Sequence, residues 1–440
     1  MNATFGPGSS PLVGELHVPG DKSMSHRAVL FSAIADGTTT LRGVLDSADV
    51  SSTIGAVREL GAHVDLAEQP DGSLGGAVTG WGSACPLPWG VDIDCGNSGT
   101  TARLLLGVLA GWPTKVTLRG DESLSRRPMR RVMEPLARMG AHFSANAAGT
   151  LPVTVQGNAA LTPIDYASPV ASAQVKTAVL LAGLRAQGET RVSEPSPSRD
   201  HTERMLPEFG VAVKLDPQRH AASVIGPVTP ISAGEIVVPR DSSSAAFFVC
   251  AALLVTGSEV RLPGVSLNET RTGFLRVIER MGAQVEAVPW PISAGERMGA
   301  LVTRYTATLS STVVTAAEVP SLVDEVPILA LVATQATGET RFEDVGELRV
   351  KESDRFEAVL AGLTALGGDV RAEGDTLVIK GPTPLHAATL DSRGDHRLAM
   401  TWAVAGLVAD GPVEVERFEA VAVSYPRFVG DLESLMSAEA

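Results

Sequence analysis

A chain of 440 residues, 44% apolar and 20% charged, has globular composition and is too long for one small domain. Its net charge of −14 and 4% aromatic content argue against a nucleic-acid partner, which needs a broad basic surface and stacking rings. No apolar run approaches the ~20 residues of a membrane span. Met1 to Ser10 lacks the basic and apolar parts of a signal peptide, and Cys85, Cys95 and Cys250 form no CxxC pair, so a soluble cytoplasmic protein without a disulfide framework is expected.

In chain order, an Ala/Leu-rich helical stretch ends six times at a glycine followed by a β-prone run. The stretches are AIADGTTTLRGV, VLAGWPTKVTLRG, LRAQGETRVSEP, LLVTGSEVRLPGV, ATQATGETRFEDV and LVADGPVEVERF. Their glycines, Gly37, Gly111, Gly188, Gly257, Gly338 and Gly411, are spaced by 74, 77, 69, 81 and 73 residues. Each is expected to end its helix in the left-handed conformation. A second helix with its own glycine follows in five units, at Gly61, Gly140, Gly210, Gly282 and Gly367, and the chain ends about where a sixth is due. The early run LVGELHVPG is read as the strand that the last unit lacks, which brings both chain ends into one domain. Periods near 75 exceed the ~20–50 residues of a solenoid repeat and fit a larger α/β module. The expected fold is therefore α/β, with two similar domains of three repeated units each. One domain spans about 20–235 and the other 1–19 plus 236–440, divided in the Pro- and Gly-containing stretch 228–241.

The first helix of each module opens on small polar or acidic residues: DKSMSHR, GNSGTTAR, SPVASAQ, DSSSAA, DEVP and GDHRLAM. Ordinary N-capping accounts for any one of these, and for DSSSAA it is the preferred reading. Two of the starts add Lys22, Ser23 and Arg27, and Asn97, Gly99 and Arg103. Further basic sites are SRRPMRR, RVKESDR and DHR. Helix N-termini and arginine forks both bind anions, so helices aimed at one cleft would form a positive pocket in an acidic protein. Arg130 and Arg131 are read as a solvated face. Asp324, Glu325 and Glu352 are the carboxylates available for proton transfer, with ion pairing as the equal alternative. Zinc-ligand spacing, a GxGxxG turn after a strand, a P-loop and a nucleophile elbow are all absent, and Cys95 reads as packing.

The ordered set PGDKSMSHR, GNSGTTAR, RRPM, SAQ, the Asp324 helix start, RVKESDR and DHR resembles the 5-enolpyruvylshikimate-3-phosphate synthase family over nearly the whole chain. That resemblance implies two domains of the inside-out α/β barrel type with the active site in the interdomain cleft. It implies transfer of the enolpyruvyl group of phosphoenolpyruvate to the 5-hydroxyl of shikimate 3-phosphate in the shikimate pathway. It further implies no metal or organic cofactor, small-molecule substrates as the partners, and a monomer. Asp324, Glu352 and Lys22 take the catalytic roles. Lys22, Ser23, Arg27, Ser172, Gln174, Ser198, Arg199, Asp324 and Lys351 would bind shikimate 3-phosphate. Lys22, Gly99, Arg103, Arg127, Gln174, Arg355 and Arg397 would surround phosphoenolpyruvate.

Two positions depart from the family pattern: Val423 stands where many members carry a Lys before a Tyr/Phe–Pro pair, and Ala173 stands for a second Ser. Gly99 implies sensitivity to glyphosate, while SAQVKTA and RDHTERM resemble the tolerant branch. The sister family that acts on a UDP-linked amino sugar is the nearest rival. GDESLSRRPM lacks its loop cysteine and DKSMSHR its Lys-Asn pair. A non-catalytic anion-binding protein is the reading from another class, and it leaves Lys22, Asp324 and Glu352 without a purpose.

Overall fold

The computed structural model describes residues 1–7, 10–84 and 89–437, so Cys85 lies outside the described residues. The chain divides into two compact units, one of Gly20–Pro239 with Ile292–Glu296, the other of Met1–Pro19, Arg240–Pro291 and Arg297–Ala440. Residues 236–239, expected in the second domain, group with the first because strand Glu235–Val237 pairs in parallel with Thr38–Val44.

In the first unit the helices are α1 (Lys22–Ile34), α2 (Ala48–Glu59), α3 (Gly99–Ala110), α4 (Arg130–Arg138), α5 (Ala173–Gly183) and α6 (His201–Met205). Helices α1, α3 and α5 are almost wholly buried, α3 and α5 mostly apolar and α1 polar in its first two turns and apolar beyond, as suits core helices whose starts face a site. Around them lie three sheets of one plan, a parallel strand pair continued by two antiparallel strands. Glu235–Val237, Thr38–Val44, Leu74–Thr79 and His63–Glu68 make the first. Trp89–Asp94, Lys115–Arg119, Val153–Gln156 and His142–Ser144 make the second. Asp165–Ala167, Gly188–Ser193, Ala221–Gly226 and Val213–Asp216 make the third.

The second unit follows a similar plan, its sheet of Ala388–Asp391, Val413–Glu416 and Ala3–Phe5 having three strands, with α7 (Ser242–Leu254), α8 (Gly273–Arg280), α9 (Val326–Ala333), α10 (Arg355–Ala365), α11 (His396–Val408) and α12 (Phe428–Ser437). Helices α7, α9 and α11 pack on one another in its core. Two expectations need correction here. The strand in LVGELHVPG, Val13–Glu15, pairs in parallel with Glu259–Ser266 of the fourth repeat. The strand that completes the sixth sheet is Ala3–Phe5, antiparallel to Val413–Glu416. The sixth outer helix also exists, as α12.

The five second-helix glycines all have positive φ, between 73° and 108°. None of the six first-helix glycines ends its helix in the left-handed conformation as expected: Gly111 caps α3 with φ −89°, the core helices before Gly37, Gly257 and Gly411 are capped at the extended Ala35, Val255 and Ala409, and Gly188 and Gly338 lie within strands. Gly107 answers to space instead. A Cβ on it would lie 2.3 Å from the Ala178 carbonyl oxygen of α5. Gly107→Ala is expected to push α3 from α5 and lower stability by about 1–3 kcal/mol. A denaturant midpoint unchanged from wild type would show that the two helices do not need this close approach.

Candidate active site

The polar side chains of the first unit gather where α1, α3 and α5 begin. Asp21 caps α1 by accepting from Met24 N–H at 2.8 Å, which fixes the residues that follow it. Lys22, the first helical residue, gives one bond to Asp49 Oδ2 at 3.1 Å and keeps two ammonium donors. One turn on, Arg27 is buried. Its Nε donates to Thr202 Oγ1 at 2.8 Å, Nη2 to Thr177 Oγ1 at 3.0 Å and Nη1 to the Ser23 carbonyl at 3.0 Å. Two of its five N–H groups remain for a ligand. Burial pulls the Arg27 pKa down to about 10 against the pull of Glu203 and Asp21, so it stays charged at neutral pH. His26 beside it is held near 4 by burial and stays neutral. Its Nδ1 meets Thr53 Oγ1 at 2.7 Å, and Thr53 meets Thr101 of α3 at 2.6 Å.

Helix α3 begins at Gly99, capped by Ser98. A Cβ at Gly99 would lie 3.1 Å from Arg103 Nη1 and 3.6 Å from Arg127 Nη1, so three of the expected phosphoenolpyruvate residues are neighbours. Arg103 Nη1 donates to Gln174 Oε1 at 2.6 Å, and Gln174 Nε2 donates to Thr100 Oγ1 at 3.0 Å. Arg127 donates to Asn97 Oδ1 at 2.8 Å. Ser172 caps α5. Ser172 and Ser198 meet at one carboxylate, Glu194, which accepts from the Ser172 N–H and the Ser198 hydroxyl. Arg199 is partly buried and lies near enough to Arg27 to oppose its charge.

In the second unit Arg355, the first residue of α10, organises a separate cluster. It is fully buried. Its Nε donates to Asp395 Oδ2 at 2.7 Å, Nη1 to Asp324 Oδ1 at 2.9 Å and Nη2 to Glu352 Oε2 at 2.7 Å. Burial opposes the charged form, but the three carboxylates outweigh it and push the Arg355 pKa up. Asp395 is held below the usual carboxylate range, because Arg355 overcomes the cost of burial. Arg397 Nη2 lies 3.7 Å from Asp324 Oδ2 and its Nη1 donates to Glu325 Oε1 at 3.3 Å. Lys351 Nζ sits 3.8 Å from Asp324 and 2.8 Å from Glu347. Glu352 is the more exposed of the two candidate proton carriers, with 35% of its side chain accessible against 11% for Asp324. Asp324, Glu325, Lys351, Glu352, Arg355 and Arg397, the residues singled out in this half of the chain, thus share one cluster.

Sequence reasoning missed several members. Asp395 reads as a cap, and it does accept from Arg397 N–H at 2.9 Å, but it also anchors Arg355. Asp241, kept as a plain cap, pairs with Arg271 at 3.0 Å as well. Ser243 donates to the buried Glu325, whose pKa burial pushes up. Cys95 is buried and its thiol is pushed up to about 12, which suits packing and not nucleophilic attack.

Each unit thus carries cations and carboxylates at buried helix starts, an arrangement suited to anionic ligands. The enolpyruvyl transferase NikO from Streptomyces tendae superposes with a TM-score of 0.77 over 99% of this chain and 97% of its own, at 20% identity, a likeness of fold. The chain belongs to the EPSP synthase family: the model of EPSP synthase (3-phosphoshikimate 1-carboxyvinyltransferase) matches residues 7–432. The 3-phosphoshikimate 1-carboxyvinyltransferase of Bacillus subtilis is 45% identical over 96% of this chain and 97% of its own. That of Geobacillus kaustophilus is 47% identical over 97% and 98%. The structure of EPSP synthase from Acinetobacter baumannii superposes with a TM-score of 0.89 at 38% identity, covering 99% of this chain and 98% of that one.

Proposed function

We propose that the protein transfers the enolpyruvyl group of phosphoenolpyruvate to the 5-hydroxyl of shikimate 3-phosphate, releasing phosphate on the route to aromatic amino acids. Family membership over nearly the full length carries this reading. The cytoplasm as its place, a monomer as its working form and an inside-out barrel for each three-repeat unit belong to the same reading. Buried helices inside partly exposed sheets support the last.

Protonation of C3 of phosphoenolpyruvate, by Glu352, gives C2 cationic character. The 5-hydroxyl attacks C2 while Asp324 takes its proton, and a tetrahedral adduct forms. Loss of a C3 proton then expels phosphate and restores the enol ether. Lys22, Gln174, Gly99, Arg103, Arg127, Arg355 and Arg397 hold phosphoenolpyruvate, and Lys22, Ser23, Arg27, Ser172, Gln174, Ser198, Arg199, Asp324 and Lys351 hold shikimate 3-phosphate. The cations attack nothing. They overcome the repulsion of two anions and stabilise the charge that gathers on the departing phosphate. With Val423 in place of the family's Lys, Arg355 and Arg397 carry more of that task.

Phosphate release tests the reading, with shikimate 3-phosphate and a UDP-linked amino sugar as parallel acceptors for phosphoenolpyruvate. Release only with shikimate 3-phosphate is expected, and release only with the sugar nucleotide would overturn the assignment. Gly99→Ala tests the phosphoenolpyruvate side. Its methyl would stand among the Arg103 and Arg127 guanidinium groups. Glyphosate should inhibit wild type and inhibit the variant at least about 10-fold less, the worth of ~1.4 kcal/mol of crowding. Equal inhibition constants would remove the steric argument.

A further inference from the structure

Lys176 sits in the apolar helix α5, with Val175, Ala178 and Val179 buried around it. Its ammonium lies 2.8 Å from Glu194 Oε2 and 2.8 Å from Glu203 Oε1, and 6% or less of each of the three side chains is accessible. Buried ion triads are often replaced by apolar residues at no loss of stability, so packing alone does not call for this one. Its connections are more informative. Lys176 and Thr177 on α5 face Glu203 and Thr202 on α6, making two adjacent rungs, the ion pair and a 2.6 Å hydroxyl contact. The threonine rung carries Arg27 through two N–H bonds. The other end of the triad, Glu194, accepts from Ser172 N–H at 2.6 Å and from Ser198 Oγ at 2.7 and 2.9 Å. One buried frame therefore reaches Arg27, Ser172 and Ser198.

We infer that Glu194, locked by Lys176 and Glu203, is the positioning residue of the site that takes the substrate's phosphate, with Ser172 as a direct donor and Ser198 as a strut. This rests on the proposed function and narrows it: of the two serines assigned there to shikimate 3-phosphate, Ser172 touches the phosphate and Ser198 acts only through Glu194. The division between them follows from proton counting. A serine hydroxyl has one proton. That of Ser198 points between the two oxygens of Glu194, leaving none for a phosphate oxygen. The Ser172 oxygen accepts from Val175 N–H at 3.4 Å, so its proton is free to donate. Glu194 meanwhile holds the Ser172 backbone, fixing where that hydroxyl starts.

A double-mutant cycle on Glu194→Gln and Ser198→Ala tests the frame. Each single change is expected to raise the KM for shikimate 3-phosphate about 5- to 10-fold, roughly 1 kcal/mol of lost orientation. The double variant should do no worse than the weaker single. The KM for phosphoenolpyruvate and kcat should stay within about 3-fold of wild type, well under 1.4 kcal/mol. Multiplying effects in the double variant, or an equal rise in both KM values, would overturn the inference. If Glu194→Gln fails to fold, Ser198→Ala and Ser198→Thr decide, because Thr restores a hydroxyl toward Glu194. Recovery with Thr is expected, and a Thr variant as weak as Ala would overturn the strut. Wild-type turnover in the same series keeps the two claims apart. If wild type released no phosphate the proposed function would fall, while the cycle could still be read from calorimetric binding of shikimate 3-phosphate. Additive losses there, or no binding by wild type, would overturn the frame too.

Discussion

Asp324→Asn should lower kcat by roughly 10³-fold, within the range a positioned general base supplies, while the protein stays folded. Asn keeps an oxygen that can accept from Arg355 Nη1, now 2.9 Å from Asp324 Oδ1, so the guanidinium does not lose its partner. What disappears is the ability to take the proton of the 5-hydroxyl. Neutralising this carboxylate also leaves Glu352 and Asp395 on Arg355 and Glu325 on Arg397, so neither cation is stranded. Far-UV circular dichroism and the melting temperature should therefore match wild type within a few degrees. The KM for shikimate 3-phosphate should rise less than kcat falls, since one hydrogen bond among many is lost. A variant that kept kcat within 10-fold of wild type would remove Asp324 from the base role and move attention to Glu352.

The core of each unit was legible because its helices announce themselves twice, by caps and by apolar faces. Asp21, Ser98, Ser172, Asp241 and Asp395 each accept from a backbone N–H of the first turn. α9 carries no such cap and starts from the tight turn Val323–Glu325 followed by Pro327, where the acidic pair alone gave the signal. Short strands were less legible. Ala3–Phe5 and Val13–Glu15 have three residues each, and their partners lie more than two hundred residues away, so nothing local chooses between them. The same asymmetry governs the site. Lys22, Arg103, Arg127, Arg355 and Arg397 stood out as charges in strings of polar residues, whereas Glu194 and Asp395 resemble loop and cap residues until their buried cations are in view. Cation identity is a local property of a sequence. The counter-charge that orients it is tertiary.

Removing Arg355 should do more damage than removing any other side chain of the cluster, because it acts on stability and chemistry together. In Arg355→Met, Asp395 keeps a fully buried carboxylate without its cation, and breaking such a pair costs about 3–5 kcal/mol. Asp324 and Glu352 lose the fork that spaces them, and phosphoenolpyruvate loses a binding group. Arg355→Lys should not rescue activity, since a single ammonium cannot replace a planar fork that reaches three carboxylates. Adding Asp395→Asn to Arg355→Met separates the two effects. Asn can still cap α11 and no longer needs a cation, so much of the lost stability should return while turnover does not. The acid limb of stability carries the same signature. The folded pKa of Asp395 lies below its ordinary value, so its contribution is complete above that value and is lost as pH falls through the folded one. Denaturant midpoints measured across that acid range should slope less in Asp395→Asn than in wild type. An Arg355→Met midpoint within about 1 kcal/mol of wild type would mean that the surrounding carboxylates had already been accommodated without it. Turnover regained in the double variant would show that Arg355 serves the fold alone.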